Sequence, residues 1–244
     1  MANRKGGVGK TTVTLCLAAA LAHRGQRVLV VDLDEGATDV LGVLVGEQTP
    51  TTFEVLDGQL RIDQAILATS WKGVDLVPSD FGIQQFTSKR PDVLRSRLEG
   101  WQGNHDVVLI DCPPTLGPLT LNALAAADRV LVVTQVEYLA LAGLDAFLDS
   151  FELIQRQHNP QLRFAGVVVN MLGRTREQRV RLAQLREAIE EDVIWLPLIP
   201  ERAVISETLG AGLTLYDPAA GRGASKAAAL FDQLADKLAG ELAS

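Results

Sequence analysis

The stretch Asn3-Arg4-Lys5-Gly6-Gly7-Val8-Gly9-Lys10-Thr11-Thr12, NRKGGVGKTT, decides the fold. It follows the phosphate-loop pattern G-x-x-x-x-G-K-[ST] except at its first position, where Arg4 replaces glycine. Gly6, Gly7 and Gly9 let the backbone approach an anion closely and turn successive N–H groups toward it. Thr11 to His23, TTVTLCLAAALAH, is alanine- and leucine-rich and stops at Gly25. A helix beginning at Lys10 or Thr11 therefore aims the positive end of its dipole at the same place. In such a cradle Lys10 meets the β/γ-phosphates and the Thr11 hydroxyl ligates Mg²⁺. The loop also carries a second lysine, Lys5, for which the basic pattern has no use.

Beyond the loop, short β-branched runs alternate with helix-length segments. The runs are Arg27 to Val31, Val74 to Val77, Asp106 to Ile110, Arg129 to Val133, Phe164 to Val169 and Val193 to Leu196. Near-continuous apolar strands of this kind are buried on both faces, which predicts an α/β fold: a doubly wound, mostly parallel sheet with helices on both sides. Helices are expected over Phe81 to Trp101, Leu139 to Gln157, Thr175 to Glu191 and Gly223 to Leu242, and short helices and loops over Glu35 to Ser70. Only Met1 to Arg4 precede the loop, so the central strand is expected either as a stub or as one that starts upstream.

The 244 residues suit one domain over residues 1–244, and 47% hydrophobic with 22% charged residues is a globular composition. A formal net charge of −7 argues against nucleic-acid binding by bulk charge and leaves only a local basic patch for that role. Two cysteines, Cys16 and Cys112, are too few for a disulfide framework or a four-cysteine metal site and fit a reducing cytoplasm. No apolar run reaches the roughly 18–20 residues of a membrane span, so a soluble protein is expected.

Two further stretches complete the loop. In Val30-Val31-Asp32-Leu33-Asp34 a strand ends in carboxylates at i and i+2, which either face the nucleotide together or cap the next turn. In Val107-Val108-Leu109-Ile110-Asp111-Cys112-Pro113-Pro114 an apolar strand feeds one aspartate, the form of a Walker B strand whose acid holds Mg²⁺. His23, His105 and His158 fall at a helix end and in polar loops and are expected at the surface.

KGGVGKTT (Lys5 to Thr12), VDLD (Val31 to Asp34) and IDCPPTLGPLTLNALAAAD (Ile110 to Asp128) resemble the ParA/MinD superfamily of deviant Walker ATPases, and within it the ParA (Soj) partition ATPases. The likeness continues through Val168 to Met171 and Leu198 to Pro200. It implies an ATPase, weak alone and stimulated by a partner, with ATP and Mg²⁺ as cofactors. By the resemblance, Gly6, Gly7, Val8, Gly9, Lys10, Thr11 and Thr12 bind the nucleotide, and Asn170 and Pro200 contact its base. Thr11, Asp111 and Asp32 serve the metal, Asp34 positions the attacking water, and Lys5 reaches across an ATP-dependent homodimer to the partner's nucleotide. That last role is similar to an arginine finger, worth roughly 10³–10⁵ in rate in other NTPases. The chain departs from the family after Asp34, with Glu35-Gly36-Ala37-Thr38 in place of the usual Pro-Gln-Gly-Asn.

Relatives that carry cargo bind nonspecific double-stranded DNA in the ATP state. Here Arg174, Arg176, Arg179, Arg181 and Arg186 lie in one loop-helix segment, with Leu182, Leu185 and Ile189 forming its apolar stripe. Arg202, Arg222 and Lys226 are candidates to extend the patch. The resemblance then implies a cytoplasmic, nucleoid-associated switch with a ParB-like activator that moves plasmid, chromosome or protein cargo. A MinD-like membrane reading is disfavoured, because the tail LADKLAGELAS has no aromatic residue and as many acids as lysines. An iron–sulfur relative is excluded by the cysteine positions. An ATP-dependent metabolic enzyme of the same fold is the remaining alternative.

Overall fold

The computed structural model describes residues 1–3, 5–137 and 140–243. Arg4, and Leu139 at the expected start of one helix, lie outside the described residues. Helix α1 (Lys10–His23) follows the glycine loop and leads into strand β1 (Val28–Asp32). Short helices α2 (Gly36–Val40), α3 (Thr52–Asp57) and α4 (Ile62–Ala65) then precede β2 (Leu67–Ala68) and β3 (Val74–Val77). Next come α5 (Val93–Leu98), β4 (Val107–Asp111), α6 (Pro118–Ala126), β5 (Arg129–Thr134), α7 (Ala140–Gln157) and β6 (Arg163–Val169). Helix α8 (Arg176–Ala188), β7 (Ile194–Trp195), α9 (Ala203–Gly210) and α10 (Ala224–Ala243) complete the chain.

The strands form two hydrogen-bonded groups, in the orders β2-β3-β1-β4 and β5-β6-β7, parallel throughout except for β2. Alternate residues feed opposite cores, as the pleat requires. Val28, Val30, Leu131 and Val133 pack with Leu15, Leu17, Phe231 and Leu234 of α1 and α10, whereas Leu29, Val31, Val130 and Val132 pack with Leu94, Leu124, Phe147 and Phe151. This is the expected two-faced α/β arrangement, and it delivers the ends of β1, β4, β5 and β6 to one edge, where ligands of such sheets bind.

The stub before the loop joins the two groups. The Met1 ammonium donates to the Ile110 carbonyl (2.6 Å), the Ala2 N–H to the Leu131 carbonyl (3.1 Å), and the Val133 N–H to the Ala2 carbonyl (3.2 Å). These contacts engage the end of β4 at Ile110 and the middle and end of β5, from Leu131 to Val133. Toward their amino ends the two strands enclose an apolar cavity of about 320 Å³ lined by Trp101, Val108, Leu109, Val130, Leu238 and Leu242.

Three expectations are corrected. Phe81 to Trp101 is not one helix: a 3₁₀ turn covers Phe81–Gln85 and α5 begins only at Val93. The Asp80 side chain accepts from the Gly82 N–H, and Pro91 both lacks an N–H and disfavours helical geometry at Arg90, so the chain breaks between them. The helix expected to run to Glu191 ends at Ala188, and a 3₁₀ turn covers Glu191–Val193. His105 is not a surface residue: its side chain is 5% exposed, bonded through Nε2 to Asp75 and stacked on Trp101. Helices α6 and α9 were not anticipated; both are short, and α6 opens on Pro118 at its first turn.

Candidate functional site

Gly9 is the N-cap of α1 at φ 86°, and an added Cβ there would lie 2.2 Å from Asn170 Nδ2. Only glycine accepts this left-handed turn at so close an approach. The Asn170 amide in turn donates to the Val8 carbonyl (2.9 Å), pinning the loop to the end of β6. Gly7 also has a positive φ, 74°, but faces open space, leaving room for an anion over the first N–H groups of α1 that lack intrahelical acceptors.

Lys10 is 6% exposed, and its Nζ lies 3.5 Å from the Lys5 carbonyl, inside the loop's own curve. Burial lowers its pKa, opposed by the charges of Asp111 and Asp34. Lys5 behaves differently: its side chain leaves the cradle and pairs with Glu137, in the segment after β5. The neighbouring Gln135 donates from Nε2 to the Gly7 carbonyl (3.2 Å) and to Met171 Sδ (2.8 Å).

Thr11 donates from Oγ1 to Asp111 Oδ2 (2.5 Å), and Thr14, one turn further on, donates to Asp111 Oδ1 (3.1 Å). Asp111 is fully buried, and burial, then the nearby Asp32 charge, raises its pKa against these two hydroxyls. Asp32 is equally buried and is spent on the following turn. Its Oδ1 accepts from the Asp34 N–H (2.9 Å), and its Oδ2 from the Thr38 N–H (2.8 Å) and hydroxyl (2.7 Å). The strand stops at Asp32, so the i, i+2 alternation does not extend to Asp34. Asp34 is half-buried, and burial pushes its pKa up to about 6, while Lys10 pulls it down. The segment that departs from the family packs closely here: Glu35 has φ 75°, and a Cβ on Gly36 would stand 2.9 Å from Thr11 Oγ1.

The arrangement fits a magnesium nucleotide. Acids crowd a single buried amine, an imbalance that a divalent cation relieves. Among the described residues no three His, Cys, Asp or Glu side chains make a ready cage, which matches Mg²⁺, whose sites usually combine one or two carboxylates with substrate phosphates and water. Pro200 forms a parallel bridge with Leu172 two residues beyond Asn170, so both residues proposed to contact the base lie on one wall. Thr12 sits half-buried in the first turn of α1.

The arginine segment lies directly beyond that wall. Thr175 caps α8 by accepting from the Gln178 N–H (3.2 Å). Arg174, Arg176, Arg179 and Arg186 are exposed; Arg181 is half-buried and folds back onto Gln184 (3.0 Å) and toward Glu177. Leu185 is buried and Leu182 and Ile189 are partly so, as the stripe requires.

Reading the residues one by one missed Thr14, Thr38, Gln135, Glu137 and Met171. Thr14 shares a helix face with Thr11 at i+3, a spacing visible in the sequence. Gln135 and Glu137 follow the carboxyl end of β5, where the topology rule places ligand contacts.

A glycine cradle opening a helix, a lysine within it and a buried acid at the end of a neighbouring parallel strand define a P-loop nucleoside triphosphatase. Residues 1–164 match the family described as an AAA domain. The chain is 34% identical over 226 residues to the sporulation initiation inhibitor protein Soj of Bacillus subtilis, covering 88% of this chain and 89% of that protein. It is 36% identical over 229 residues to the chromosome partitioning protein ParA of Caulobacter vibrioides, covering 89% and 86%. Among solved structures, a cobyrinic acid a,c-diamide synthase from Mycobacterium smegmatis with bound ADP and magnesium superimposes with a TM-score of 0.81 at 32% identity, covering 100% of this chain and 94% of that one. The chain belongs to the ParA/Soj-type ATPases of the ParA/MinD superfamily. No helix among the described residues is long and apolar enough to cross a membrane.

Proposed function

We propose that this chain acts as one ATPase unit, an ATP-gated switch that dimerises around Mg²⁺–ATP, binds DNA without sequence preference through α8, and is released when a ParB-like partner stimulates hydrolysis. The observation that carries this reading is the division of labour between the two loop lysines. Lys10 is buried in its own cradle, whereas Lys5 points out of it and is 36% exposed, within reach of a second molecule.

In this reading Lys10 binds the β- and γ-phosphate oxygens and Lys5 neutralises charge on the partner's nucleotide. Thr11 and Asp111 hold the cation, with Thr14 fixing the Asp111 carboxylate and Asp32 shaping the turn that presents Asp34. Mg²⁺ held by these residues would supply positive charge against that developing on the phosphate oxygens. With a pKa near 6, Asp34 is ionised at pH 7 and accepts a hydrogen bond from the attacking water, holding it in line. Asn170 and the Pro200 segment cover the base. Four open arginines per chain, doubled by a two-fold dimer, give a patch with steep salt dependence despite the net charge of −7. A cytoplasmic protein that visits the nucleoid follows.

The test is retention on a random-sequence DNA duplex at low salt. Asp34→Ala is expected to bind ATP, stay dimeric and be retained with ATP–Mg²⁺ but not ADP–Mg²⁺. Arg176→Glu, Arg179→Glu and Arg186→Glu together abolish retention and leave ATPase activity intact. Retention that ignores the nucleotide, or that survives the triple substitution, overturns the DNA reading.

The similarity to a diamide synthase favours a second reading, an ATP-dependent amide-forming enzyme. Against it, both cysteines are buried, with burial pushing the Cys112 thiol up to about 11 and the Cys16 thiol higher still, so neither offers a thiolate to release ammonia from glutamine. ATP turnover coupled to amide formation on a carboxylic acid substrate is the result that favours this alternative.

A further inference from the structure

We propose that Glu137 is a latch on Lys5: in the nucleotide-free chain it holds the outward lysine in cis and so sets the ATP concentration at which two chains associate. The inference rests on the reading of Lys5 as a residue that acts in trans, and extends it to a residue on another element.

The geometry is specific. The Lys5 backbone is fixed at one end, its N–H donating to Asn3 Oδ1 (3.0 Å) while the Asn3 amide donates to the Val133 carbonyl (2.6 Å). Its ammonium then spans from the loop to the Glu137 carboxylate beyond β5, 132 residues away in sequence. The segment carrying Glu137 is itself tied to the loop, since Gln135 donates to the Gly7 carbonyl and the Glu137 N–H to the Gln135 carbonyl (3.0 Å). Glu137 thus sits beside the phosphate loop on a short, anchored turn, aimed at the lysine that is not in the cradle.

A lysine engaged in cis is unavailable to a second nucleotide, so association must first separate the pair. Both side chains are substantially exposed, at 36% and 49%, so water compensates most of the loss when they part. The barrier is therefore small and reversible, as a switch requires: an exposed pair of this kind shifts an equilibrium by roughly two- to fivefold. The triphosphate competes for Lys5 with more charge than one carboxylate, so ATP on a partner chain opens the latch and an empty partner does not.

The experiment follows the dimer fraction of the full chain by sedimentation as a non-hydrolysable ATP analogue with Mg²⁺ is titrated. Glu137→Gln keeps the shape and removes the charge, and should lower the half-saturating analogue concentration about two- to fivefold. Glu137→Asp keeps the charge but draws it back by one methylene, and should behave like Glu137→Gln. Raising the salt should close the gap between both variants and the unsubstituted chain. If Glu137→Gln dimerises at the same or a higher concentration than the unsubstituted chain, the latch is overturned. If Glu137→Asp matches the unsubstituted chain while Glu137→Gln does not, general repulsion by the carboxylate replaces it. Lys5→Gln separates the two levels of the argument. Should it dimerise normally, the trans reading fails and the latch falls with it; should it lose dimerisation while Glu137→Gln is silent, only the latch is lost.

Discussion

At its carboxyl end the seam between β4 and β5 is closed by the Met1–Asn3 stub and crowned by Lys10, Thr11, Thr14, Asp32 and Asp111, every one of them hydrogen-bonded. At its amino end the same two strands enclose an apolar cavity, with Val108 and Val130 lining it and, among the described residues, no third strand between them. The first region is densely packed yet electrostatically uncomfortable, since burial raises the pKa of Asp32 and Asp111 and lowers that of Lys10. The second carries no such charge conflict but lacks packing contacts and strand pairing. One region gives up stability in a form that a bound cation and phosphates restore, whereas the other gives it up as unfilled apolar space. Substitutions at the two ends should therefore separate binding from stability.

The largest effect is expected at the polar end. Lys10→Ala removes the charged donor from the cradle and should weaken ATP by about 3 kcal/mol, roughly 100-fold, in a calorimetric titration. Unchanged affinity would count against the loop assignment.

The converse holds at the apolar end. Fusing three or four alternating apolar residues ahead of Met1 continues the stub between β4 and β5, adds strand pairing and fills the cavity. Stability in a denaturant titration should rise by about 2–4 kcal/mol with ATP affinity unchanged. A loss of stability on extension would show that the cavity does not admit a strand.

Gly9→Ala tests where the two ends meet. The residue must hold φ 86° and displace Asn170 from Val8, so the change should cost about 2 kcal/mol of stability and also lower nucleotide affinity. A variant that loses one property without the other would break the link drawn here between the loop and β6.

The smallest effect is on pH dependence. Asp34 has its pKa raised to about 6 in the folded chain, so near pH 5 the folded state holds a proton that the unfolded state releases. Stability of the nucleotide-free, Mg²⁺-free protein should consequently rise as pH falls from 7 toward 5. Asp34 contributes only about 1 kcal/mol because solvent screens a half-buried group. Burial also raises the pKa of Asp111 and Asp32, which add to the same trend, so Asp34→Asn should lessen this slope without abolishing it, and an unaltered slope would remove Asp34 from the account.

Much of this protein was legible before its structure. NRKGGVGKTT placed the loop and the start of α1, and the apolar runs placed six strands to within a residue or two, because parallel strands buried on both faces leave continuous β-branched signatures. Asp111 was marked by the four apolar residues before it. The helix expected over Phe81 to Trp101 is broken at Pro91, a residue visible in the sequence. His105 was misplaced because its burial depends on Asp75 and Trp101, 30 and 4 residues away, and no local pattern records that meeting.

The sequence by itself determined the chemistry: which groups can bind phosphate, which acids end strands, and that a second lysine exists. Those are properties of residue type and short spacing. Only the tertiary structure decided how the groups are shared out. Asp32 turned inward to hold its own loop, Thr14 joined Thr11 on Asp111, and Lys5 swung away from the cradle to Glu137. The last two of those assignments depend on strands adjacent in space and distant in the chain, whose ends arrive at one edge only when the sheet is assembled.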